Sequence, residues 1–138
     1  MKVYLKQIDN FSLSAKGESN HLIAIDERVE DGGNGSATGP MELLLISVAS
    51  CSAMDVISIL KKRRVEDLQL EIEVEGIRRE EYPRIYTEIH LKYIVSGKDI
   101  REKDVARAIQ LSEDKYCSAI AMVKDTANMS SEYVLKNR

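Results

Sequence analysis

A chain of 138 residues in which 20 Lys and Arg face 23 Asp and Glu carries a formal net charge of −3. That balance leaves no basic footprint for nucleic acid, and the length suits one domain over residues 1–138 with a core of its own. Met1-Lys2-Val3-Tyr4-Leu5-Lys6 runs straight into an alternating pattern, without the apolar stretch and cleavage site of a signal peptide, so a cytoplasmic protein is expected.

Three short strands open the chain, over residues 3–8, 11–15 and 21–25, joined by turn signals at Asp9-Asn10 and Gly17-Glu18-Ser19-Asn20. They predict an N-terminal β-meander. Residues 31–40 are glycine-rich and precede a helix, but they match neither the P-loop nor the dinucleotide-binding spacing, and a mobile loop or lid is expected there. Residues 43–60 hold a single charge, Asp55; Ser47, Ser50, Ser52 and Ser58 interrupt the apolar run, and Lys61-Lys62-Arg63-Arg64 closes it as a solvated end that complements the helix dipole. A helix this apolar on nearly every side, in a small domain, is expected to lie centrally, with a sheet on one face and a second subunit on the other, rather than in a membrane.

Leu68, Leu70, Ile72 and Val74 then alternate with Gln69, Glu71, Glu73 and Glu75, which is the period of a half-buried strand. Tyr82-Pro83 breaks the run, and Thr87, Ile89, Leu91, Tyr93 and Val95 share one face of a second strand over residues 85–95, so the two predict a β-hairpin. From about Ile100 the spacing of Val105, Ala108, Ile109 and Ser112 is helical. A second short helix is expected over residues 113–124 with Ser112 as its N-cap, and residues 129–135 predict a final strand. The order is that of an α+β domain: meander, long central helix, hairpin, two short helices and a strand, with no βαβ alternation.

The chain has two cysteines. Cys51 sits inside the long helix among the small residues Ala49, Ser50, Ser52 and Ala53; Cys117 falls near the start of a short helix beside Lys115, where partial positive charge favours a thiolate. In a reducing compartment such a pair is expected to form a transient, catalytic or sensing disulfide rather than a permanent one, the alternative being two buried small hydrophobes. His21 and His90 lack the close ligand spacing of a zinc site, so no metal is expected. Asp55, four residues beyond Cys51, would raise the thiol pKa as an unpaired anion and reads instead as a hydrogen-bond acceptor at a helix–helix contact or interface.

The run Gly39-Pro40-Met41-Glu42-Leu43-Leu44 leading to Ala49-Ser50-Cys51, then Asp55-Val56 and Leu60-Lys61-Lys62-Arg63, together with Arg107-Ala108-Ile109-Gln110-Leu111-Ser112 and Lys115-Tyr116-Cys117-Ser118, resembles the OsmC/Ohr family of thiol-dependent peroxidases over nearly the whole chain. Within that family it is most similar to the less characterised branch with the Lys-Tyr-Cys-Ser element. The resemblance implies an OsmC-like α+β fold in an intertwined homodimer with active sites at the subunit interface. It also implies a peroxiredoxin-type oxidoreductase of the oxidative stress response, acting on hydroperoxides without a cofactor and regenerated by an external dithiol, with no nucleic-acid or membrane partner.

Carried over by position, Cys51 would be the peroxidatic thiolate, oxidised to a sulfenic acid, and Cys117 the resolving thiol that condenses with it. The family lowers the thiol pKa with an arginine held by a glutamate. The glutamate position holds Met41 here, and Glu42, about 100° further round the helix, is the nearest carboxylate. The N-terminal region offers Lys6, Lys16 and Arg28 as cations, and a lysine lacks the bidentate fork of an arginine. The second reading is a non-catalytic dimeric small-molecule-binding or redox-sensing protein on the same fold.

Overall fold

The computed structural model describes residues 1–136 and divides between Leu44 and Leu45 into two compact units. In the first, β1 (Tyr4–Asp9), β2 (Ser12–Lys16) and β3 (Leu22–Ile25) form an antiparallel meander in that order. Asn10 and Asn20 close its two turns at φ of 51° and 60°, a left-handed backbone that Asn tolerates because its short amide can bond locally. Ala15 is buried, whereas Val3, Tyr4, Leu5, Ile8, Phe11, Leu22 and Ile23 are exposed.

The glycine-rich segment is tied down rather than loose. A 3-10 turn at Val29–Asp31 ends on Gly32, whose φ of 90° needs glycine. Asp26, which is buried, accepts hydrogen bonds from the Ser36 hydroxyl at 2.6 Å, the Ser36 N–H at 3.0 Å, the Asn34 N–H at 3.4 Å and the Ser12 hydroxyl at 3.1 Å. The Ser36 hydroxyl, foremost, together with the backbone donors, holds the Asp26 carboxyl well below the usual range. The expected lid is thus an anchored loop, because one carboxylate satisfies its backbone N–H groups.

Helix α1 (Pro40–Lys62) begins with proline, whose missing N–H costs nothing in a first turn. Gly39 donates its N–H to Glu42 Oε2 at 3.1 Å while its carbonyl accepts from Leu43, so Glu42 acts as the back-bonding member of a capping box. Val48, Ser52, Val56 and Leu60 recur at every fourth position and form the buried stripe, while Ile46 and Met54 lie exposed. Among the described residues the buried positions of this apolar helix thus form one stripe.

In the second unit β4 (Glu66–Arg78) and β5 (Tyr86–Lys98) make the expected hairpin, and β6 (Asn128–Lys136) adds on the other side of β5, parallel to it. The central strand carries the core: Ile89, Leu91, Tyr93 and Val95 are fully buried on one face. Gly76 of β4 lies opposite Ile89 and against the Tyr86 ring, which a Cβ there would meet at 2.5 Å, so the position admits only glycine. Helix α2 (Glu102–Leu111) buries Val105, Ala108 and Ile109, and it holds buried Asp104 between Arg101 Nε at 2.7 Å and Arg63 at 3.7 Å. Arg63 of the basic cluster thus pairs locally, as a helix end would.

The second short helix differs from expectation. Ser112 does not cap it: the chain leaves α2 through a π-turn at Ser112–Tyr116, turns extended at Cys117, and restarts as α3 (Ser118–Val123). Cys117, not Ser112, is the N-cap, because its φ of −71° and ψ of 103° take it out of the helix while its sulfur accepts from the Ile120 N–H at 3.4 Å.

Candidate dithiol site

Cys51 lies half-buried on α1, next to Ser52 of the buried stripe, and Cys117 is only 3% exposed at the start of α3. The two sulfurs are close enough for Cys51 to act on the Cys117 thiol. Burial, first, then the hydrogen bond and charge of Cys51 push the Cys117 thiol up to about 11, against the opposing backbone bonds from Ile120 and Ala119. Cys117 is therefore held as a thiol.

This corrects the expectation that the helix start and Lys115 would favour a thiolate at Cys117. Helix α3 has only 6 residues and its sulfur is dry, so desolvation outweighs the dipole. The Lys115 ammonium sits 5.2 Å above the Tyr116 ring, and both residues are exposed. A pH dependence follows, because raising the folded value keeps Cys117 protonated where the unfolded thiol ionises. Its contribution to stability is complete below pH 9.0 and is lost as pH rises through about 11. Ultraviolet thiolate absorbance of the reduced protein is expected to show the second thiolate only near pH 11; two thiolates by pH 9.0 would contradict it.

Around the thiols runs a buried hydroxyl network. The Tyr93 hydroxyl lies 2.7 Å from Ser52 Oγ, Ser52 Oγ lies 2.9 Å from Ser112 Oγ, and Ser112 donates to Asp55 Oδ2 at 3.0 Å. Burial pushes the Tyr93 hydroxyl upward, with nearby Glu113 and Cys117 adding to it and the Ser52 bond opposing it. Asp55 is thus the hydrogen-bond acceptor expected from the sequence, with a donor at the end of α2. Tyr93, Ser52 and Ser112 were not legible as a set; the one signal was a serine on the apolar stripe of α1.

The cations proposed to activate Cys51 belong to the N-terminal unit. Arg28 is committed to Glu30 at 2.6 Å and Asp31 at 2.7 Å, and Lys16 donates to Asn20 Oδ1 at 3.1 Å. Lys6, exposed on β1, has no such partner among the described residues. Glu42 makes its capping bond and no ion pair among the described residues. His90 on β5 bonds Ser130 of β6 through Nδ1 at 2.7 Å, an ordinary cross-strand pair.

The fold is thus an α+β chain that sets a half-buried cysteine on a long apolar helix near a buried cysteine that caps a short one. The comparisons place it further. Residues 33–132 match the family model described as OsmC-like protein, and the chain belongs to that family. It is 37% identical over 133 residues to Protein YhfA of Escherichia coli strain K12, covering 96% of each chain. It is similar to the crystal structure of a hypothetical protein from Aquifex aeolicus VF5, at 36% identity and a TM-score of 0.88, covering 99% of this chain and 96% of that one. The organic hydroperoxide resistance protein OhrB of Bacillus subtilis shares the fold, with a TM-score of 0.60 at 15% identity over 99% and 98% of the two chains.

Proposed function

We propose that this protein is a thiol-dependent peroxidase in which Cys51 attacks organic hydroperoxides and Cys117 resolves the product. The observation that carries the reading is the asymmetry of the two neighbouring sulfurs: Cys117 is buried and held as a thiol, whereas Cys51 is the half-buried one that a substrate can reach. The Cys51 thiolate would take the distal oxygen of the hydroperoxide, breaking the O–O bond, and the alkoxide would leave as an alcohol after taking a proton. Cys51 sulfenic acid and the Cys117 thiol would then form the disulfide and release water. An external dithiol would restore both thiols, itself becoming a disulfide.

The cation favouring the Cys51 thiolate would be Lys6, the one of the three candidates without a partner among the described residues, and Glu42 would be its orienter only by leaving its cap. The protein would act as a cytoplasmic homodimer. A second copy suits the exposed apolar face of α1 and the exposed face of the meander, since α1 carries Ser52 and Asp55 already satisfied within the chain. By length and composition α1 could also cross a membrane, with a mean hydropathy of 2.1 over its most apolar window. Light scattering at micromolar concentration is expected to give a dimer; a stable monomer would oppose this.

The test of activity is dithiol-dependent consumption of cumene hydroperoxide by the purified protein. The expected result is turnover that falls at least about tenfold in Lys6→Ala, the order of effect of removing one charge within about 4–6 Å of a thiolate. Absence of turnover in the wild type would turn the reading to a binding or sensing protein on the same fold.

A further inference from the structure

The hydroxyls beside the cysteines form a chain with a direction. Ser112 has one proton and gives it to Asp55 Oδ2. Ser52 is then left to donate to Ser112, while the single Tyr93 proton is divided between Ser52 and the nearby Glu113. Tyr93, Ser52 and Ser112 are all fully buried, so removing one link strands a desolvated hydroxyl.

The chain also joins the two segments that carry sulfur. Ser52 follows Cys51 on α1, and Ser112 opens the π-turn that delivers Cys117. The Ser112 carbonyl accepts from the Cys117 N–H at 2.8 Å. One residue thus holds Cys117 by its backbone and α1 by its side chain. π-turns are uncommon and recur at functional sites, where their wider spacing redirects a side chain; here the redirected residue is a cysteine.

We propose that the Tyr93–Ser52–Ser112–Asp55 chain is a latch that positions Cys117 against Cys51 for disulfide formation. Under the peroxidase reading, on which this refinement rests, the latch has a chemical consequence. The Cys51 sulfenic acid has two fates: it forms an S–S bond with Cys117 while its hydroxyl leaves with the Cys117 proton as water, or it reduces a second hydroperoxide and becomes a sulfinic acid. The first depends on where Cys117 is held and the second does not, so a latched Cys117 protects Cys51 from overoxidation. Ser112 is a positioning residue that acts through Cys117.

The test compares wild type with Ser112→Ala and Asp55→Ala, which break the chain, Asp55→Asn, which keeps an acceptor oxygen for Ser112, and Val105→Ala, which loosens α2 while leaving every hydroxyl in place. Two readouts are taken: the sulfinic-to-disulfide ratio at Cys51 after graded cumene hydroperoxide, and the dithiol–disulfide equilibrium against glutathione, which needs no peroxide. Ser112→Ala and Asp55→Ala are expected to raise the ratio and to lower the glutathione equilibrium constant about tenfold, the scale of one lost buried hydrogen bond. Asp55→Asn is expected to stay near wild type, and Val105→Ala to stay near it even at a matched loss of melting temperature. Chain-breaking variants that match Val105→Ala in the glutathione equilibrium would overturn the latch. If the wild type ignores hydroperoxide, the peroxidase reading fails on its own, and the glutathione equilibrium still decides the latch in either direction.

Discussion

Cys51→Ser is expected to consume hydroperoxide no faster than protein-free buffer, while Cys117→Ser should consume one equivalent per chain in a burst and then fail to cycle. The contrast comes from the two sulfur environments. Serine at position 51 removes the only nucleophile of the pair that is half-open to solvent, and the buried Cys117 thiol, held near 11, supplies almost no thiolate at neutral pH. Serine at position 117 leaves Cys51 competent for the first step but without a partner, so sulfenic acid accumulates and passes to sulfinic acid with excess oxidant. A burst assay with a sulfenic-acid trap checks both. Equal, sustained turnover by Cys117→Ser would remove Cys117 from the cycle, and activity in Cys51→Ser would remove Cys51.

The largest stability effect is expected at Ile89, where Ile89→Ala should cost about 2–5 kcal/mol, toward the upper end of that range. Ile89 is fully buried on the central strand, and its partners in register are Gly76 on β4 and Met129 on β6. Gly76 has no side chain to move into the space, and the Tyr86 ring already packs against it, so the cavity stays open. The exposed Val134 of β6 gives the comparison: Val134→Ala should stay within about 0.5 kcal/mol. Urea midpoints at one fixed protein concentration measure both, because subunit association would otherwise shift them. A loss at Ile89 below about 1 kcal/mol would mean that the sheet collapses around the gap.

Periodicity made the elements legible, since which residues face a core is written locally. The alternation through Ile89, Leu91, Tyr93 and Val95 identified the buried face of β5, and the spacing of Val105, Ala108 and Ile109 identified that of α2. What periodicity cannot carry is pairing. That β6 joins β5 in parallel, and that Ser52 meets Tyr93 and Ser112, are long-range facts. The break at Cys117 escaped for another reason: residues 113–124 have good helical composition, and only the burial of the sulfur and its cap on Ile120 stop one helix from running through. The two cysteines stood out as candidates from their settings, but the upward push on the Cys117 thiol was not legible, because it depends on the fold keeping that sulfur dry.

The account stands on Cys51 and Cys117 acting as one redox unit, and peptide mapping by mass spectrometry after one equivalent of organic hydroperoxide tests this most directly. A single disulfide joining Cys51 to Cys117 within one chain, with no free thiol left and full recovery of both on adding dithiothreitol, is the predicted result. Two thiols still titratable after oxidant, or Cys51 carried to sulfinic acid while Cys117 stays free, would contradict it.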